Sequence, residues 1–302
     1  MKPETAPLIL ARLNGGLGNQ MFQFAAARAL ALRTGATLKL DVSAFPRDKL
    51  RRYDLSVYAL AEHVPIASEA ELAHCEQKKP RGLALIGKAL GLPRIGGGAA
   101  IPAIREAHFH YDPALATAQP PAYVVGYWQC ERYFADHANQ IRRDFTPRQP
   151  LEPENAAIAD VIHRSTAVSL HVRRGDYVSD AKIQSVHGVC GLDYYARAMA
   201  AVEAQVASPH YIVFSDDPDW TRANLTSPHP MTFVTCNSAE RGFRDMQLMS
   251  LCHHHIIANS SFSWWGAWLN ARADKVVVAP ERWFASGGRD TRDLVPAGWV
   301  RV

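Results

Sequence analysis

The sequence predicts an α/β protein of two parallel-sheet domains that face each other across a cleft. Three observations carry that prediction. Short β-branched runs alternate with helical stretches through the second half, and one strand–turn–helix–strand unit opens the first. Between the halves, DFTPRQPLEPENAA (residues 144–157) is rich in proline and polar residues and lacks periodicity. The boundary is placed there, giving domains over 1–150 and 151–302.

The opening unit begins with the apolar strand LILARL. It turns through NGGLGNQMFQ, continues as the helix FQFAAARALALRTG, ended by Gly35, and returns as the strand ATLKLDV. Beyond residue 45 the pattern weakens. The second domain offers TAVSLHV, HYIVF, MTFVTC, HHIIA and KVVVAP as strands, between the helices LDYYARAMAAVEAQVA, AERGFRDMQLMSL and SFSWWGAWLNARA. Ligands of such parallel sheets bind at the strands' carboxyl ends, so the chemistry belongs in the loops there.

Bulk properties narrow the function. A chain of 302 residues with 48% hydrophobic and 21% charged residues is an ordinary globular protein. The net charge of +4 suits an anionic small ligand but argues against a nucleic-acid partner. Cys75, Cys130, Cys190, Cys236 and Cys252 are odd in number and form no C-x-x-C pair, which fits a reducing compartment. The apolar run at the N-terminus is short for a signal peptide, and no segment approaches a membrane span. Together these predict a cytoplasmic protein. Residues 78–98, with five basic side chains among leucines and glycines, could touch the inner face of the membrane peripherally. A solvated loop and helix accounts for them more simply.

The glycine turn resembles a dinucleotide fingerprint but fails it, because Met21 stands where the third glycine belongs. Asp41, at the end of the next strand, is then a decoy for a ribose-binding acid. Gly15, Gly16 and Gly18 still let the backbone approach a ligand, with Asn19 and Gln20 able to donate and accept beside it.

HVRRGDYV (171–178) ends the first strand of the second domain. Side chains alternate along a strand, so His171 and Arg173 share one face and Arg174 takes the other. Arg173 is the ligand-facing guanidinium, whose fork suits a diphosphate. FSDDPDW (214–220) ends the next strand. Either Asp216 or Asp217 could accept from paired N–H donors such as guanine's, and either could instead cap the helix that follows. Ser260 and Ser261 open a helix where backbone amides gather around an anion. His253, His254 and His255 look like metal ligands, but alternation scatters them, and no metal site is expected. Trp264 and Trp268, one helical turn apart, read as core, while Phe262 or Trp265 could stack on a base.

In this order and spacing, GGLGNQMFQ, GYWQCERYF (126–134), HVRRGDY, FSDD and DMQLMSLCHHHIIANSSFSWWGAWL resemble glycosyltransferase family 11, the α-1,2-fucosyltransferases. The resemblance implies a GT-B-like α/β fold of two Rossmann-like domains. It also implies an inverting transfer of L-fucose from GDP-fucose to O2 of a terminal galactose, on an oligosaccharide or lipid-linked glycan, without a metal or other cofactor. By that resemblance the donor is bound by Gly16, Gly18, His171, Arg173, Asp216 or Asp217, Ser260, Ser261 and Phe262. Asn19 resembles the asparagine that reaches the donor, and Asp176 is the candidate base. Gln20, Trp128 and Gln129 are assigned to the acceptor. Another GDP-sugar transferase, a non-catalytic nucleotide-sugar sensor and an NAD-dependent oxidoreductase remain as alternatives.

Overall fold

The computed structural model describes residues 7–75, 100–175, 184–186, 188–285 and 288–302. Two of the expectations above, the basic segment 78–98 and Asp176, lie outside the described residues.

Two wholly parallel sheets follow one another along the chain. The first holds β1 (Leu8–Arg12), β2 (Thr37–Asp41), β3 (Ala103–Arg105) and β4 (Ala122–Val125) in the order β2-β1-β4-β3. The second holds β5 (Thr166–Val172), β6 (Pro209–Ser215), β7 (Met231–Val234), β8 (His254–Ile256), β9 (Val277–Ala279) and β10 (Val300–Arg301), in the order β10-β9-β8-β5-β6-β7. Each strand expected from a β-branched run is present. β5 is buried on both faces after its first residue, as a central parallel strand must be. β3, β4 and β10 were not anticipated; the first two are short strands inside the weakly patterned part of the chain.

Strand order reverses between β1 and β4 in one sheet and between β5 and β8 in the other. At such a switch point the loops leaving two neighbouring strands diverge and open a crevice. The loops in question are the glycine turn, the 126–129 segment, the arginine loop and the serine turn. All four were singled out from sequence alone.

What brings the two crevices together is a contact between helices. The helix Leu17–Thr34 is lined by alanines and capped by Gly35 at φ 65°, and the helix Ser261–Leu269 packs against its start. A Cβ on Gly18 would lie 2.6 Å from the carbonyl carbon of Ser261 and 2.7 Å from the amide nitrogen of Phe262. Only glycine permits that approach. Trp265 completes it by donating its indole N–H to the Gly18 carbonyl oxygen at 3.0 Å.

Behind this contact a single apolar core runs from one sheet to the other. Phe22 meets Trp264 with ring centroids 4.4 Å apart, and Phe134 stacks on Trp265 at 5.4 Å. Burying a phenylalanine is worth about 1.5–3 kcal/mol, so Phe22 and Phe134 alone oppose separation of the sheets strongly. The connecting segment is also fastened. Arg244, fully buried in the helix Gly242–Leu251, donates to the carbonyls of Gln149 (3.0 Å) and Pro150 (2.7 Å) and to Glu152 (3.0 Å).

Gly18→Ala is therefore expected to force the two helix starts apart. The scale is that of overpacking, about 1–3 kcal/mol, read as a lowered midpoint in urea unfolding. Gly16→Ala is the control. Its φ is −74°, and an added Cβ would meet only the Arg51 guanidinium, no nearer than 3.7 Å. If both variants unfold at the wild-type midpoint, the helix contact is not what joins the sheets.

Candidate functional site

The arginine loop places Arg173 on two cavities at the carboxyl end of β5. Arg173 pairs with Asp216, Nη1 to Oδ2 at 2.7 Å, and the other oxygen of Asp216 accepts the Arg174 backbone N–H at 2.8 Å. Gly175 makes room for this, since a Cβ there would lie 2.5 Å from the Asp216 carboxylate. Arg174 turns the other way, as strand alternation requires. Its Nε lies 3.2 Å from Asp217, and its guanidinium sits 3.5 Å above the Trp220 ring. Asp217 meanwhile caps the helix Pro218–Asn224 by accepting the Trp220 N–H at 3.3 Å. Of the two acids expected to read a base, Asp217 is engaged by Arg174 and the helix start, and Asp216 by Arg173.

His171 is buried at the end of β5 against Phe262, with ring centroids 5.6 Å apart. Burial pushes its pKa down to about 4; Asp216 opposes that shift and Arg173 adds to it. The imidazole is therefore neutral at physiological pH. Its buried Nδ1 has no hydrogen-bond partner among the described residues.

The serine turn meets the glycine turn through Asn19. The Asn19 side-chain Oδ1 accepts from Ser261 Oγ at 3.0 Å and from Gln129 Nε2 at 2.7 Å, tying together loops from three strand ends. Ser260 caps its helix by accepting the Phe262 N–H at 3.3 Å.

Two cavities open on these residues. One, about 340 Å³, is lined by Asn19, Gln129, Ser260, Ser261, Tyr127 and Phe284 among others. The other, about 790 Å³, is lined by His171, Asp216, Phe243, Asn237 and Asp245 among others. Gly16, Leu17, Arg51, Arg173 and Phe262 line both, and so mark the waist between them.

Three of the assigned residues are engaged within the protein itself. Gln20 is fully buried, and its amide is used on backbone: it donates to the carbonyls of Gly15 (2.9 Å) and Arg52 (2.8 Å) and accepts from Asp54 N–H (3.0 Å). It lies beneath the cleft rather than in it. Trp128 is likewise buried, at φ 56°, with Glu106 accepting both its N–H and that of Tyr127. The exposed neighbour Tyr127 faces the smaller cavity instead. Gly18 lines that cavity too, but its missing side chain serves the helix contact.

Trp265 cannot stack on a base, being wholly buried, whereas Phe262 reaches both cavities. Asp41 is buried, accepting from Tyr123 Oη at 2.6 Å and Ser43 N–H at 2.9 Å, so it is not open to read a ribose beside the glycine turn. The three histidines diverge. His255 is held between Ser169 and Asn270, and His254 accepts the Val276 N–H. Among the described residues, no three His, Cys, Asp or Glu side chains are grouped to hold a metal.

Asp245 was missed. It lies in the first turn of the helix Gly242–Leu251, where an acid is expected simply to complement the helix dipole. Yet it lines the larger cavity, and burial pushes its carboxyl pKa up to about 6, against a hydrogen bond from Asn237 at 2.7 Å that lowers it. Its second oxygen has no partner among the described residues.

Two parallel sheets meeting at their switch points, with an arginine and a helix-opening serine turn over paired cavities, are the architecture of a GT-B-type glycosyltransferase. Residues 110–302 match Glycosyl transferase family 11. The chain is 32% identical to an α-1,2-colitosyltransferase of Escherichia coli, over 98% of this chain and 99% of that one. It is 30% identical to human galactoside α-(1,2)-fucosyltransferase 1, over 58% of this chain and 51% of the other. Among solved structures it resembles apo POFUT1 in fold, with a TM-score of 0.51 at 12% identity, over 92% of this chain and 99% of that one. The chain belongs to glycosyl transferase family 11.

The geometry separates the two adjacent arginines. Arg173→Ala should lower turnover by about 10²–10³, the scale of removing one preorganised donor from a developing anion. Arg173→Lys should restore little of it, because the ammonium lacks the two-pronged fork. Arg174→Ala should lower the melting temperature instead, through loss of the Asp217 and Trp220 contacts, and keep most of the turnover. Steady-state nucleotide release with parallel thermal melts checks this. Equal losses of turnover in Arg173→Ala and Arg174→Ala would contradict the assignment.

Proposed function

We propose that the protein transfers L-fucose from GDP-fucose to O2 of a terminal galactose, inverting the anomeric centre to give an α-1,2 linkage. The observation that carries this reading is Arg173 at the waist between two cavities, one the size of a nucleoside site and one bounded by both sheets. The diphosphate lies at the waist, the nucleoside in the larger cavity, and fucose with its acceptor in the smaller. The relatedness to an α-1,2-colitosyltransferase supports the linkage, and that to a galactoside α-(1,2)-fucosyltransferase supports the linkage and the acceptor.

Guanine presents two N–H donors on one edge, which a carboxylate accepts together. With Asp216 and Asp217 engaged elsewhere, Asp245 is the proposed reader, supported by its open oxygen and by Phe243 and Phe262 on the same cavity. As the bond from C1 to the diphosphate oxygen breaks, negative charge grows on the leaving group and is met by Arg173 and the serine turn. Galactose O2 attacks from the opposite face and loses its proton to a carboxylate, for which Asp176 stays the proposed acceptor. Neutralisation by protein groups implies turnover that persists in EDTA. The proposed setting is the cytoplasmic face of the membrane, acting on galactose-terminated oligosaccharide or lipid-linked glycan. Among the described residues, no helix is long and apolar enough to cross a membrane.

The full-length relatedness to a colitosyltransferase favours a second reading for the donor alone. Colitose is fucose without its 3-hydroxyl. A site that hydrogen-bonds that hydroxyl rejects the deoxy sugar by on the order of 10⁴, whereas a site shaped for colitose has no such partner. GDP release from each donor should therefore be measured with lactose and with both types of N-acetyllactosamine, followed by linkage analysis. Galactoside-dependent release from GDP-fucose with an α-1,2 product is expected. Release that no galactoside stimulates would leave a binding protein and defeat the proposal.

The Asp245 assignment has its own pH signature. The carboxylate must be ionised to accept guanine's donors, and it ionises above about pH 6. GDP affinity, measured calorimetrically, should fall as pH drops through that value. Asp245→Asn should weaken GDP roughly 10- to 100-fold, the worth of a hydrogen bond to a charged group, and flatten the profile. A variant with wild-type affinity and profile would remove Asp245 from the site.

A further inference from the structure

The turn that follows β4, residues 126–129, is strained and held. Trp128 has φ 56°, a conformation that a bulky side chain adopts only where its surroundings enforce it. They do so here from several sides. The carboxylate of Glu106, the residue after β3, accepts the backbone N–H groups of Tyr127 (2.8 Å) and Trp128 (2.9 Å). The Trp128 ring is buried and meets Tyr133 edge to face, with centroids 5.5 Å apart. A Cβ on Gly126 would lie 2.4 Å from the Glu106 Cβ and 2.9 Å from the Trp128 indole nitrogen, so that only glycine fits there. The far end is fixed as well, since Gln129 donates to Asn19 at 2.7 Å and Asn19 also accepts from Ser261.

Between these anchors stands Tyr127, which is 41% exposed and lines the smaller cavity. Among the described phenylalanines, tyrosines and tryptophans, it alone is exposed. Backbone strain that the surrounding structure maintains gathers at binding positions. In this turn its effect is to bury Trp128 and leave the neighbouring ring on the cavity wall.

We propose that Tyr127 is an acceptor-binding residue, whose ring packs on the apolar face of the terminal galactose. This rests on the placement of the acceptor in the smaller cavity. The 4-hydroxyl of galactose is axial, so the C–H groups at C3, C4 and C5 share one face of the sugar. Those hydrogens are attracted to the electron-rich face of an aromatic ring. Packing of that kind leaves the equatorial O2 at the sugar's rim, open to attack the donor. The proposed donor contacts of Arg173, Asp245 and the serine turn all come from the second sheet, whereas Tyr127 follows a strand of the first.

The test compares the wild type, Tyr127→Ala and Tyr127→Phe, using whichever of lactose and the two N-acetyllactosamines the wild type turns over best. The acceptor KM, the GDP-fucose KM and the GDP dissociation constant are measured for each. Tyr127→Ala should raise the acceptor KM about 10-fold, the worth of one aromatic packing contact with the area it buries, and leave the GDP constant unchanged. Tyr127→Phe, which keeps the ring, should stay near the wild type. An unchanged acceptor KM in Tyr127→Ala overturns the proposal. So does an equal rise in Tyr127→Phe, which would assign the effect to the hydroxyl. A rise confined to GDP-fucose overturns it too, by placing the ring on the donor sugar. Wild-type release that none of the three galactosides stimulates would instead remove the acceptor reading on which the proposal rests.

Discussion

The site depends on one close approach: the start of the 17–34 helix touches the start of the 261–269 helix at Gly18, with no side chain between them. Each helix follows a strand at the switch point of its own sheet, so bringing their starts together brings the two crevices face to face. The Trp265 bond to the Gly18 carbonyl and the shared aromatic core behind it turn the contact into a seam. A glycine-rich turn at a strand end is ordinarily read as room for a phosphate. Here Gly16 lines the cavities, while Gly18 makes room for the other half of the protein.

From that seam follows a division of labour among charged groups. Asp216 positions Arg173, Asp217 anchors Arg174 and caps a helix, and Asp245 alone of the three offers an oxygen without a partner among the described residues. Burial treats the titratable groups of the larger cavity according to their sign: it keeps His171 neutral and raises Asp245 towards neutrality. Polar groups around the cleft are held by one another before any ligand arrives. Asn19 is held by Ser261 and Gln129, and the loop of Arg51 by Gln20. Preorganisation of this kind lets donors act on developing charge without first having to be ordered.

Much of this was legible in the residues. Buried parallel strands declare themselves as β-branched runs, and their carboxyl ends named four of the loops that meet at the cleft. Strand alternation alone separated Arg173 from Arg174. What stayed hidden required a partner distant in sequence. Nothing local to Gly18 reveals that Ser261 will press on it. Nothing local to Gln20 shows that its amide will hold residues 52 to 54. Asp245 was concealed by an adequate bland explanation, a carboxylate in a helix's first turn, and its distinction appears only once burial is known. The strands β3 and β4 were missed because they are short and lie in the stretch where the alternation of strand and helix patterns fades, so no neighbouring element points to them.

The central claim is that a nucleotide diphosphate spans the seam of two firmly joined sheets, base towards Asp245 and phosphates between Arg173 and the serine turn. The most direct measurement is a crystal structure of the protein with GDP. The account predicts guanine's N–H edge on the Asp245 carboxylate, the diphosphate at the waist, and the Gly18–Ser261 contact unmoved. A nucleotide lying along the 14–20 turn with its ribose towards Asp41, or a seam opened to admit it, would contradict the account.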